Sequence, residues 1–473
     1  MSQPVSFLKR IRLQSPPPWG IEPVPEKMRQ LRGFDLFVLW SSLGVGLLVL
    51  EAGALLVPSL GLVAAMGAIL LGSLIGSLLL SFTAVVGSEM GAPTMVLLRP
   101  LLGRRGSYLP TLLNVAQLLG WTAFELWVIA LAASRISQVL LGAPHYGVWL
   151  VVATLWCLFL ALGGPLVVVR QWLEKFGIWI VYLVSIWMTI YVCRSGQMGR
   201  LLSQPGTGGL PFWLAVDLVV AMPISWLPLV ADYSRFARHS RAAFWGTSLG
   251  YLLANVWFYG LGALFVLGLN VSDPTPDNLA AAIMSMTGGI IALVVILADE
   301  TDNAFADIYS AAVSIQNVFP RMNQRWLVVG VSVLGAILAA SLTMSQYFNF
   351  LLLIGSVFIP LFGVLGADYF VLRRWRHDVA ALYQPDKLLG TDEVRSFGWG
   401  FDWAALCAWI AGVIVYHAVA HGVPWLGASI PAFLVAFVAH LVFDQMMNLL
   451  QRRGRHAANS IHTERKPSSE QAK

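Results

Sequence analysis

Apolar residues run along this chain in blocks of twenty or more, separated by short polar stretches. A hydrocarbon core about 30 Å thick is crossed by roughly 20 residues of α-helix, so block length alone argues for membrane spans. The pattern predicts twelve of them, near 34–57, 62–87, 109–141, 146–164, 172–193, 212–233, 244–269, 280–318, 326–342, 346–371, 402–420 and 424–449. The eighth is the least regular, because it contains DETDNAFAD at 299–307. Polar stretches then divide the chain into a tail, 1–32, a ten-helix core, 33–372, a loop, 373–401, two accessory spans, 402–449, and a second tail, 450–473.

Two of the predicted spans carry breaks. The first contains SSLGVG, Ser41 to Gly46, and the sixth contains PISWLP, Pro223 to Pro228. Proline removes a backbone donor and clashes with the carbonyl four residues earlier, so this pair favours an interrupted helix. The breaks occupy matching positions in two five-span halves, 33–193 and 212–372. Paired interruptions of this kind point to an inverted-repeat transporter with its site near the bilayer midplane. A backbone freed at membrane depth must line protein or a cavity, where its carbonyls can coordinate Na⁺ and its N–H groups can meet a polar substrate. A proline kink used only for packing would leave the same local pattern.

Composition strengthens the membrane reading. Of 473 residues, 58% are hydrophobic and 11% charged, more apolar surface than a soluble chain of this length can hide. Lysine and arginine are retained on the cytoplasmic side of a membrane. With both termini inside, that side takes all but Arg135, Arg194 and Arg200 of the 30 basic residues. The net charge of +6 is thereby accounted for by topology, with no need of nucleic acid. The first thirty residues lack the apolar core of a cleavable signal and read as a cytoplasmic tail. Cys157, Cys193 and Cys407 have no metal-ligand spacing and read as small buried hydrophobes. The expectation is a monomeric multi-pass protein of a bacterial-type inner membrane.

Ionisable residues inside spans are costly and mark function. The third span reads NVAQLLGWTAFELWVIA, in which Gln117, Trp121 and Glu125 recur every four residues and share a helix face. A flat aromatic beside a carboxylate suits a planar ligand bearing N–H donors. In the eighth span Asp299, Asp302 and Asn303 share one face, and Glu300, Asn303 and Asp307 form a neighbouring stripe. Such oxygens can hold a small cation, cycle a proton, or mark a solvated helix end. Glu51 either lines the pathway or pairs with Arg135. No phosphate loop, Ser/His/Asp set or HExxH motif is present, and no cofactor is expected.

Taken in order, GAPTMVLLRPLLGRRGSYLP, QLLGWTAFE, MPISWLPLVADYSRFAR and DIYSAAVSIQN resemble the first class of nucleobase cation symporters, which includes cytosine, allantoin and hydantoin permeases. The resemblance runs from about residue 33 to the tenth span and is strongest to the hydroxymethylpyrimidine transporters linked to thiamin salvage. It implies an all-α, LeuT-like architecture of five plus five inverted helices followed by two more. It also implies that Trp121 and Trp226 sandwich a flat heterocycle, with Gln117, Glu125, Ser225 and Asp307 around it. A Na⁺ site would use the carbonyls of Gly44 and Leu47 with Ala298, Thr301 and Asp302. Asp302 departs from the hydroxyl usual in the family, so the coupling ion stays open between Na⁺ and H⁺.

The function expected is cation-coupled import of a small planar aminopyrimidine, hydroxymethylpyrimidine or cytosine, by alternating access. Glu125 and Asp307 accept hydrogen bonds when ionised and so favour exocyclic amines over carbonyl-rich rings. The alternatives are an amino-acid permease of the same architecture and a transporter-like receptor.

Overall fold

The computed structural model describes residues 20–164, 177–195, 198–341, 347–374, 379, 382–383 and 400–464. Residues 1–19 and 465–473 of the tails, most of the 373–401 loop and the start of the expected fifth span lie outside the described residues. Among the described residues the chain is helical, with a single isolated bridge between Leu31 and Ala237. The first expected span is a broken pair, α1 (Gly33–Ser42) and α2 (Leu47–Ala54), bent by 64° at the glycine stretch. There follow α3 (Leu62–Met90), α4 (Tyr108–Leu141), α5 (Tyr146–Gly163) and α6 (Ile178–Ser195). The second half opens with another broken element, α7 (Phe212–Ser225), a 3₁₀ turn at Leu227–Leu229 and α8 (Val230–Ser234). Then come α9 (Ser240–Leu269), α10 (Pro276–Ser285), α11 (Gly289–Val318), α12 (Gln324–Ser341) and α13 (Tyr347–Gly366). The last two are α14 (Trp403–Gly422) and α15 (Ser429–Glu464).

Nine described helices are long and apolar enough to cross a membrane, ten if the bent pair counts as one span. The two expected spans outside that number correspond to α6, only part of whose segment is described, and α11, whose acids lower its hydropathy. The expected eighth span, 280–318, is divided between α10 and α11.

The packing obeys an exchange of halves. α1 and α2 pack on α9, and their counterparts α7 and α8 pack on α3. α4 packs on its own counterpart α11, and the α5–α11 contact is matched by α12 on α4. Swapping the halves thus turns each of these contacts into another that is present, as inverted repeats require. Burial follows the same order. The α7–α8 segment is 94% buried and central, whereas the α15 span is 22% buried and peripheral. Leu183 and Ile291, both about 70% exposed, belong to an apolar outer surface facing lipid. Of the cysteines expected to be buried, Cys157 is, Cys193 is partly so, and Cys407 is exposed on the outward side of α14.

The broken helices are held by close backbone contact. A Cβ on Gly53 of α2 would lie 2.1 Å from the Tyr259 carbonyl oxygen, and one on Gly262 of α9 would lie 1.8 Å from that of Leu50. Only glycine permits this approach, as small residues do at helix interfaces in lipid.

Candidate functional site

Where α1 gives way to α2, the freed backbone groups are taken by side chains of other helices. The Leu47 N–H donates to Glu300 Oε2 at 2.9 Å, and Asn303 Nδ2 donates to the Val45 carbonyl at 3.1 Å. The Tyr347 hydroxyl donates to the Leu48 carbonyl at 3.0 Å. Glycine suits position 46, where φ is +157° and a Cβ would lie 2.6 Å from Glu300 Oε2. A carboxylate on the N-terminus of a short helix is favoured by its unpaired N–H groups and dipole.

The second break falls differently from the pattern of its prolines. Pro223 lies inside α7, and the helix stops at Ser225. Trp226 and the 3₁₀ turn containing Pro228 follow. The carbonyls around this stop are met by α4. Gln117 Nε2 donates to the Ser225 carbonyl at 3.0 Å, and Asn114 Nδ2 to that of Pro228 at 3.4 Å. Gln117, expected against substrate, therefore braces the break and does not line the cavity beside it.

That cavity lies between the two breaks and is nearly closed, with about 10 Å³ of free volume. It brings together Trp121 and Glu125 of α4, Ser225 and Trp226, and Asp307 of α11. Five of the six residues expected at the substrate site thus line one space. Asn303 lines it as well, as do apolar side chains including Leu43, Leu48 and Met222. Each indole is backed by other rings: Trp226 meets Trp40 edge-on at 6.0 Å, and Trp121 meets Tyr347 at 6.0 Å and Phe350 at 5.3 Å. This backing fixes the planes available for stacking.

The surroundings are acceptor-rich. Glu125, Asp299, Glu300, Asp302 and Asp307 are all buried, which rules out a solvated helix end for DETD. None belongs to an ion pair given for the described residues. Glu125 and Glu300 are neighbours. Glu125 Oε2, Glu300 Oε1 and Asn303 Oδ1 have no protein donor, and the indole N–H of Trp121 has no acceptor. Buried polar atoms left unpaired cost about 1–3 kcal/mol each, and more when charged, so the space favours a ligand with several donors.

Asp299 and Asp302 point elsewhere. The Ser42 hydroxyl reaches Asp299 Oδ1 at 2.6 Å and Asp302 Oδ2 at 3.4 Å. The Thr301 hydroxyl donates to the Ala298 carbonyl at 2.7 Å, which joins two of the five expected cation ligands. At the first break it is Glu300 and Asn303, outside the expected ligand set, that hold the backbone around Gly44 to Leu47. Glu51 is buried, and Arg135 is paired instead with Asp277 of α10.

Comparison with known proteins identifies the family. Residues 23–445 match the model of a family described as permeases for cytosine/purines, uracil, thiamine and allantoin. The hydantoin permease of Microbacterium maritypicum is 25% identical over 82% of this chain and 81% of its own. The cytosine permease of Escherichia coli (strain K12) is 24% identical over 80% of this chain and 83% of its own. Among solved structures, Mhp1, a nucleobase-cation-symport-1 family transporter in a closed conformation with bromovinylhydantoin bound, superposes with a TM-score of 0.80. It is 21% identical, with 91% of this chain and 95% of that one covered. The chain therefore belongs to the nucleobase cation symporter family, the permeases for cytosine, purines, uracil, thiamine and allantoin.

Proposed function

We propose that this protein imports a small planar aminopyrimidine, cytosine or hydroxymethylpyrimidine, by cation-coupled alternating access. The observation that carries the reading is the cavity in which two ring-backed indoles, Trp121 and Trp226, meet two carboxylates, Glu125 and Asp307. Stacking on an indole is worth about 0.5–1.5 kcal/mol beyond burial. The carboxylates select for exocyclic amines, because ionised they only accept. The amino-acid permease reading loses ground at α2. The N–H group that would greet a substrate carboxylate there is already bound to Glu300.

Na⁺ is the coupling ion we favour, held by the carbonyls of Gly44, Leu47 and Ala298 with Thr301 and Asp302. One feature supports it: the buried Asp302 Oδ1, which has no hydrogen-bond partner. The same reading takes residues 33–372 as the moving core and 402–449 as accessory helices. It gives twelve spans in a bacterial-type inner membrane, both termini in the cytoplasm, and a monomer. In proteoliposomes at fixed pH, an inward Na⁺ gradient should drive cytosine uptake, and Asp302→Ala should remove the Na⁺ dependence. Uptake indifferent to Na⁺ that follows an imposed pH gradient would overturn the choice of ion.

A further inference from the structure

Glu300 is fully buried, lies one residue from the expected cation ligands without being one of them, and is absent from the cavity lining. Its position is nonetheless specific. One oxygen accepts from the Leu47 N–H at 2.9 Å, at the first turn of α2. The other oxygen, Oε1, has no protein donor, and the side chain neighbours Glu125, which lines the cavity. Glycine at 46 gives the carboxylate room, since a Cβ there would overlap it. The eight-residue α2, whose Leu48 and Val49 line the cavity, therefore begins at an N–H already taken by a carboxylate of the protein.

We infer that Glu300 is a specificity residue that excludes anionic heterocycles from the cavity: it occupies the α2 N-terminus that would receive a substrate carboxylate and adds negative charge behind Glu125. The inference rests on the cavity being the substrate site and goes beyond it by fixing the charge class of the cargo as neutral or cationic. Two routes lead to the same exclusion. A carboxylate on the ring would have to displace Glu300 from the Leu47 N–H, and it would stand beside Glu125 and Asp307 with no basic residue lining the space. Like charges brought together in a poorly solvated site oppose binding by several kcal/mol, so discrimination well beyond ten-fold is available.

The test compares cytosine with 5-carboxycytosine, which keeps the amine and ring and adds one negative charge. Both are measured on detergent-purified protein by competition against radiolabelled cytosine, at constant pH and Na⁺. Wild type should bind cytosine and reject the carboxylated ring. Glu300→Gln keeps an oxygen to accept the Leu47 N–H, so folding is spared, and should reduce the preference for cytosine by at least about ten-fold. Glu300→Ala, which bares the helix start, should reduce it further. The ratio of the two affinities is the informative readout, because a purely structural role would weaken both ligands together. If cytosine binds and both variants reject the carboxylated ring as strongly as wild type does, Glu300 has no part in selection. If wild type binds neither ring, the reading of the cavity fails, and the inference fails with it.

Discussion

Replacing Glu125 by glutamine exchanges one carboxylate oxygen for an NH₂ at nearly unchanged shape, and its effect on selectivity can be worked from the surroundings. Glu125 is buried, lines the cavity, and has Oε2 without a protein donor. In its ionised form Glu125 accepts from a ring amine in a charge-assisted bond worth about 1.5–3 kcal/mol, against about 0.5–1.5 for the neutral amide. Cytosine should therefore lose about 1 kcal/mol, or roughly five-fold in affinity. A carbonyl-bearing ring such as uracil gains instead, because wild type sets its carbonyl against a carboxylate and leaves both acceptors unpaired. Relieving that conflict is worth about 1–3 kcal/mol. The cytosine-to-uracil affinity ratio should fall by at least about ten-fold. The new NH₂ can also donate to Glu300 Oε1, which has no donor now, so the fold should tolerate the change. Competition by unlabelled cytosine and uracil against radiolabelled cytosine, on protein that elutes as a single species, gives the ratio directly. A uniform loss for both rings would refute the reasoning and leave Glu125 a structural residue.

Other expectations follow from the same geometry. Trp121→Ala and Trp226→Ala should each weaken cytosine binding by about two- to ten-fold through lost stacking alone. Because both indoles pack on other rings, alanine also risks destabilising the protein, so Trp226→Phe is the paired control and should retain most affinity. Unchanged affinity in all three folded variants would sink the sandwich. Gly262→Val should lower the thermal midpoint, since even its Cβ would lie 1.8 Å from the Leu50 carbonyl oxygen. Overpacking of this kind costs about 1–3 kcal/mol or more, and a melting curve matching wild type would show that α2 and α9 are free to separate.

Much of this protein is determined by local chemistry that can be read in one dimension. Apolar block length requires membrane helices, because a peptide backbone in hydrocarbon must bond to itself. The distribution of arginine and lysine argues for their orientation. The two interruptions announce an inverted repeat, and the packing of α1 and α2 on α9, mirrored by α7 and α8 on α3, agrees. Trp121 and Glu125 were legible as one face of one helix, since spacing by four fixes that face wherever the helix goes. Other features depend on which helix stands opposite, and no periodicity encodes that. The stripe of Glu300, Asn303 and Asp307 was visible in the sequence, but Glu300 becomes a cap on α2 only because α11 crosses the first break. Gln117 shared a face with Trp121, yet the stop at Ser225 lies near enough to claim its amide and withdraw it from the cavity. Arg135 is by charge alone a candidate partner for Glu51, and the fold brings it to Asp277 instead, leaving Glu51 buried elsewhere. Sequence sets what each helix face offers; the tertiary structure sets which faces meet, and buried donors and acceptors go to whichever partner lies within about 3 Å.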